Sequence, residues 1–202
     1  MSFFERNSVT DPAGWVNSFR TGLCQDQQGD YIPWMPYSLI EYLKENLSQQ
    51  DVIFEYGFGT STVFFASHVK KVFSIESNQK WHQAMMEIIA ELKIENLNTI
   101  AMFDALENPD YELAALEIAQ NLPNFKGFDW VVIDSLKRAK CAKNAIAAIK
   151  PDGKILLDDS QRSNYQKIYD DMIAQGFKCQ EFSGVAPGQI KQKKAWIFSR
   201  QS

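Results

Sequence analysis

The stretch Val52-Ile53-Phe54-Glu55-Tyr56-Gly57-Phe58-Gly59-Thr60-Ser61-Thr62 constrains this chain more than any other. An apolar strand runs straight into two glycines one residue apart, and then into a helical run carrying Val63, Phe64, Phe65 and Ala66. Glycines at such a place permit a tight turn and let a ligand lie against bare backbone. Ser61 or Thr62 can cap the helix that follows. A lone G-x-G also fits an ordinary strand-to-helix turn, so its neighbours must decide its meaning.

The nearest neighbour is an acid. In a dinucleotide fingerprint the loop cradles a pyrophosphate on a helix N-terminus, and a third glycine allows close helix packing. Here Glu55 precedes the first glycine and Ser61 stands where the third would be. A carboxylate at the mouth suits a cationic ligand better than a diphosphate. The pattern E-x-G-x-G-x-S-T, Glu55 to Thr62, resembles motif I of the class I S-adenosylmethionine-dependent methyltransferases, whose methyl donor is a sulfonium carrying an amino acid and an adenosine. The resemblance runs motif by motif from Val52 to Arg200 and is looser over residues 1–50.

Downstream, strand and helix patterns alternate. Short apolar runs at Asp51 to Glu55, Val72 to Glu76, Thr99 to Phe103, Phe128 to Asp134 and Lys154 to Asp158 lack strict alternation, as strands buried on both faces of a parallel sheet do. Helical patterns lie between them at Ser61 to His68, Asn78 to Lys93, Tyr111 to Asn121 and Ala139 to Ile149, with another at Asn164 to Gln175. After Gly176 two strands follow with no helix between, Phe177 to Phe182 and Lys194 to Arg200, so they must be antiparallel to each other. The fold class expected is α/β: a doubly wound, mostly parallel seven-stranded sheet with a C-terminal antiparallel strand pair and helices on both faces. That closing pair again resembles the methyltransferases and argues against an all-parallel dinucleotide fold.

Every parallel strand ends in an acid: Glu55, Glu76, Asp104 just after the third, Asp134, and Asp158 with Asp159. Singly each is an ordinary capping or turn acid. Together they line the edge where open parallel sheets bind ligands. Glu76 follows Glu55 by about 20 positions, the interval at which an acid on the second strand meets ribose hydroxyls. The resemblance further implies that Asp104 accepts from the adenine amine, that Ser77 serves the adenosine edge, and that the Gly57 to Gly59 backbone lies along the methionine part of the donor. Glu55, Gly57, Gly59, Ser61, Glu76, Ser77, Asp104 and Asp134 thus make the expected cofactor set.

For the chemistry, Asp134-Ser135-Leu136-Lys137-Arg138 and Asp158-Asp159-Ser160-Gln161-Arg162 follow strands four and five. Asp134-x-x-Lys137 resembles the acid and base-lysine spacing of metal-dependent catechol-type O-methyltransferases. The catalytic candidates are therefore Asp134, Lys137 and Asp158. That group has Asp-Asn after strand five, where this chain has Asp158-Asp159, so Asp134, Asp158 and Asp159 are candidate magnesium ligands. Without metal, Arg138 or Arg162 must balance the carboxylates, or else grip an acidic acceptor. His68 and His82 read as surface or packing residues, Trp81 and Met85 as core, and Leu113, Leu116 and Ala119 as the apolar stripe of an amphipathic helix.

The 202 residues, 45% hydrophobic and 23% charged, suffice for one core. We divide them into a lead-in with a first helix, 1–50, and a donor-binding unit, 51–202, within one compact domain. In the lead-in, residues 1–37 read as irregular, Pro33-Trp34-Met35-Pro36 as part of a lid, and Ser38-Leu39-Ile40-Glu41 as a capping box opening a helix to about Leu47. The net charge of -4, without a long basic run, argues against nucleic acid and anionic membrane as partners. No membrane span or signal peptide is read, and the expected compartment is the cytoplasm. Cys24, Cys141 and Cys179 are too few and too widely spaced for a disulfide framework. The expected activity is methyl transfer from S-adenosylmethionine to an oxygen of a small molecule or glycan, with magnesium as a further expected cofactor and a homodimer as the expected assembly. The rivals are a nicotinamide-dependent oxidoreductase and a non-catalytic protein of the same fold.

Overall fold

The structure, a computed structural model, describes residues 13–200. Two short helices come first, α1 (Trp15–Thr21) and α2 (Tyr37–Asn46). The alternating part follows as β1 (Val52–Tyr56), α3 (Thr60–His68), β2 (Lys71–Glu76), α4 (Gln79–Glu91), β3 (Leu97–Ala101), α5 (Asp110–Asn121), β4 (Phe128–Ile133), α6 (Arg138–Ala148) and β5 (Ile149–Asp158). A 3-10 turn (Ser163–Tyr165), α7 (Gln166–Ala174), β6 (Lys178–Gly184) and β7 (Lys193–Ser199) close the chain.

One seven-stranded sheet has the order β3-β2-β1-β4-β5-β7-β6. The first five strands are parallel; β7 runs antiparallel to both β5 and β6. The seven strands, the parallel core and the closing antiparallel pair are as the sequence indicates. Both faces are buried, and this explains why the strands do not alternate. Phe54, Tyr56, Val131, Ile133, Ile155 and Leu157 face a core built with α5, α6 and α7. Ile53, Val132, Trp130 and Leu156 face another, with Leu39, Leu43, Phe64 and Phe65. Among the described residues no helix is long and apolar enough to cross a membrane.

Several local expectations shift. The lead-in is not irregular throughout, because α1 lies within it, closed at both ends by Gly14 and Gly22 in left-handed conformation. The capping box does not form: α2 already begins at Tyr37, and the Pro36 carbonyl accepts from the N–H groups of Leu39 and Ile40. Ser38 therefore sits inside the first turn. Strand β3 ends at Ala101, opposite Glu76, since its partner β2 stops there; Phe103 lies beyond it and is exposed. On α5 the buried stripe is Tyr111, Ala114 and Ala115, with Leu113, Leu116 and Ala119 only flanking it.

Candidate functional site

The parallel order brings the carboxyl ends of β1, β2 and β4 side by side, and a cleft of ≈ 260 Å³ opens there. Its walls are Glu55, the loop from Gly57 to Ser61, Glu76, Asp134 and two tryptophans, Trp34 and Trp81. Glu55, Gly57, Gly59, Ser61, Glu76 and Asp134 of the expected set are thus brought together.

The two glycines differ in kind. Gly57 has φ +114, a conformation that side chains rarely adopt, and a Cβ there would stand 2.7 Å from the Asp134 carbonyl oxygen. The loop is clamped at this point: Gly57 N–H donates to Ile75 O (3.0 Å), Ser74 Oγ donates to Gly57 O (2.6 Å), and Asp134 N–H donates to Tyr56 O (2.9 Å). Gly59 instead has φ -172, extended backbone open to any residue. A Cβ on it would meet only the Trp81 ring, at 3.6 Å. Gly57 is required by the turn, whereas Gly59 leaves open backbone facing the cleft.

Glu55 is buried beneath the loop. Ser61 Oγ and Thr62 Oγ1 each donate to it at 2.5 Å, and Thr62 Oγ1 accepts from Gly59 N–H (2.9 Å), so one carboxyl holds the loop to the first turn of α3. Burial pushes that carboxyl up to about 8, with the two hydroxyls pulling the other way. Glu76 is aimed differently. Its Oε1 accepts from the N–H groups of Ser77 (2.7 Å) and Asn78 (2.6 Å), and its Oε2 from Phe58 N–H alone (3.1 Å). A carboxylate oxygen accommodates about two donors, so Oε2 retains capacity toward the cleft. Ser77, the next residue, does not line the cleft. Asp104 is exposed in the turn after β3, where its side chain accepts from Asn108 Nδ2 (3.3 Å); it does not line the cleft itself.

Trp81 is a cleft residue that sequence reasoning missed. Its indole N–H donates to the Phe58 carbonyl, which sets the ring against Gly59. Helical spacing suggested core, but the usable signal was position: the first turn of a helix that starts at a ligand-facing strand end.

The second cluster does converge. One oxygen each of Asp134, Asp158 and Asp159 lies within 4.8 Å of the others. Burial first, and the charge of Asp134 second, push the Asp158 carboxyl up to about 8. Cations already stand among the three. Arg138 reaches Asp134 at 2.8 Å and Asp159 at 3.3 Å, and it also donates to the Asp158 carbonyl. Lys193, absent from the expected site, reaches Asp158 at 2.5 Å and Asp159 at 3.1 Å. Arg162 pairs with Asp159 at 2.5 Å. Burial would lower the Lys193 ammonium, but the facing carboxylates outweigh it and hold its pKa above the ordinary value. Three carboxylates balanced by an ammonium and two guanidinium groups do not fit magnesium, which would have to displace a buried lysine to reach its oxygens. The cations thus already occupy the oxygens a magnesium ion would need, and Arg138 is spent on the cluster rather than on an acceptor.

Two catalytic candidates lie outside the walls of the cleft. Lys137 sits at the start of α6 with φ 51, and its ammonium donates to Asn108 O (2.8 Å) and pairs with Glu112 (3.0 Å). Both contacts engage its ammonium around the start of α5, and Lys137 does not line the cleft. Asp158 is fully buried beneath Lys193 and Arg138, out of reach of an acceptor. Asp134 alone of the three lines the cleft.

No protein-family model and no curated protein matches the chain. Solved structures do. A methyltransferase-like protein from Silicibacter pomeroyi is 25% identical, with 83% of this chain and 88% of that one covered and a TM-score of 0.54. The O-methyltransferase TomG from Streptomyces achromogenes, involved in tomaymycin synthesis and in complex with S-adenosylmethionine, is 13% identical over 76% of this chain and 74% of its own, with a TM-score of 0.59. An rRNA methylase from Streptococcus thermophilus is 15% identical over 80% and 93%, with a TM-score of 0.56. The fold is that of the class I S-adenosylmethionine-dependent methyltransferases, and such a fold does not by itself choose an acceptor.

Proposed function

We propose that the chain is an S-adenosylmethionine-dependent methyltransferase acting on an oxygen of a small molecule or glycan. The observation that carries this reading is the cleft at the ends of β1 and β2, where bare backbone at Gly59 lies between the Glu76 carboxylate and the Trp81 ring. Glu76 Oε2 suits a ribose hydroxyl, and Gly57 to Gly59 suit the methionine part. Acids at this edge favour a sulfonium and an ammonium over a pyrophosphate, which weighs against the nicotinamide alternative.

The donor supplies an electrophilic methyl group that a nucleophile displaces in one step. What the chain supplies is alignment: the clamped loop fixes one reactant, and the rigid ends of β1 and β4 fix the approach of the other. In this reading Asp134, which lines the cleft, accepts the proton of an acceptor hydroxyl, and its pair with Arg138 holds the carboxylate. A negative net charge and the absence of a long basic run support a small acceptor over a polyanion, and one structural neighbour, TomG, is an O-methyltransferase.

The test is calorimetric titration with S-adenosylhomocysteine, the demethylated donor, alongside NAD. The homocysteine nucleoside should bind, and Glu76→Ala should weaken it about tenfold or more, since hydrogen bonds to a charged group contribute about 1.5–3 kcal/mol each. Folded protein that binds NAD and not the nucleoside would refute the reading.

A further inference from the structure

Lys193 is the first residue of β7, and its place follows from topology. A parallel strand brings its last residues to the ligand edge of the sheet, whereas the reversed β7 brings its first, with Asp158 paired to Ala195 across the ladder. The ammonium has three hydrogens and three acceptors: Asp158 Oδ2 at 2.5 Å, Asp159 Oδ1 at 3.1 Å and the Trp34 carbonyl at 2.8 Å. It is buried, with 7% of its surface exposed, so it has no donor left for a ligand.

The third acceptor belongs to the lead-in. Ile32 and Met35 are buried on either side of Trp34, and Tyr37 N–H donates to Val185 O (3.0 Å), so the segment lies as a strap held at both ends. Trp34 itself is 39% exposed and lines the donor cleft. Its carbonyl accepts from the Lys193 ammonium.

We propose that Lys193 is a positioning residue for donor binding: it uses the acid cluster at the end of β5 as a fixed base and, through the Trp34 carbonyl, holds the Trp34 strap against the cleft. The carboxylates of Asp158 and Asp159 thereby work as an anchor for a lysine rather than as ligands for a metal. The proposal rests on the donor reading of the cleft, yet it has a readout that needs no donor. Lys193 is not itself a wall of the cleft; it meets the wall at the Trp34 carbonyl, and a Trp34→Ala background separates that route from one through the acid cluster and Asp134.

The variant is Lys193→Met combined with Asp158→Asn, which avoids leaving an unbalanced buried carboxylate; Lys193→Met alone serves as a second variant. Hydrogen exchange of ligand-free protein should show faster exchange over residues 31–37 in the double variant, with β1 and β4 unchanged. S-adenosylhomocysteine should bind about fivefold more weakly to it, and that loss should vanish in a Trp34→Ala background, as expected for coupled residues. Unchanged exchange over 31–37, or the same affinity loss with and without the Trp34 ring, would overturn the proposal. If the wild-type protein binds no nucleoside, the donor reading fails, and the exchange result still decides whether Lys193 ties the strap.

Discussion

Replacing Gly57 and Gly59 one at a time by alanine separates what the turn needs from what the ligand needs. Alanine at 57 must take up φ +114, which costs about 1–3 kcal/mol for a residue with a Cβ. Its new carbon would also stand 2.7 Å from the Asp134 carbonyl oxygen. Relieving that contact means separating β1 from β4, an overpacking cost of about 1–3 kcal/mol more. Together these amount to about 4 kcal/mol, or a fall of about 8–16 °C in melting temperature for a chain of this size. Alanine at 59 meets neither cost: φ is -172 and the nearest foreign atom is 3.6 Å away, on Trp81. Its stability should stay within about 0.5 kcal/mol of wild type. Binding should divide the other way, because the Cβ at 59 intrudes where the donor meets backbone. Urea denaturation of ligand-free protein and calorimetry with S-adenosylhomocysteine read the two effects. Equal stabilities for the two variants would refute the conformational argument, and full affinity in Gly59→Ala would remove that residue from the site.

Stability should depend on pH through Glu55. The folded carboxyl keeps its proton up to about 8, while the unfolded one releases it near 4.5, so between those values the folded state binds more protons and stability falls as pH rises. Glu55→Gln should flatten that decline by a few kcal/mol; parallel curves for the two proteins would contradict the burial of the group. Millimolar magnesium, manganese or calcium should leave the melting temperature of wild-type protein unchanged, and a concentration-dependent rise would restore the acid cluster as a metal site. Lys137→Met should lower the melting temperature by breaking the Glu112 pair between α5 and α6, with nucleoside affinity within about twofold of wild type. A larger affinity loss would return Lys137 to the site.

The sheet was legible because its strands are buried on both faces, and runs such as Ile53 to Tyr56 and Val131 to Ile133 announce this without reference to any partner. The donor loop was legible for a related reason: its acid, glycines and hydroxyls are neighbours in sequence as well as in space. Boundaries were less so. Where β3 ends depends on where β2 stops pairing, and the start of α2 depends on the Pro36 carbonyl rather than on the Ser38 hydroxyl. The hidden part of the site was Lys193, whose partners lie 34 and 35 positions upstream on another strand and 159 upstream in the lead-in. No local pattern marks such a residue; only the reversal of β7 brings it to the edge. Lys137 is the converse case, since its spacing from Asp134 is local but its pairing with Glu112 is set by how α5 meets the start of α6.

The central claim is that the cleft between Glu76, Gly59 and Trp81 holds the methyl donor. A crystal structure of the protein grown with S-adenosylhomocysteine tests it most directly. The account predicts a ribose hydroxyl on Glu76 Oε2, the homocysteine part along the backbone from Gly57 to Gly59, and Lys193 still bonded to Asp158, Asp159 and the Trp34 carbonyl. A nucleoside bound elsewhere, or a Glu76 carboxylate that keeps its ligand-free hydrogen bonds and touches no ribose, would contradict it.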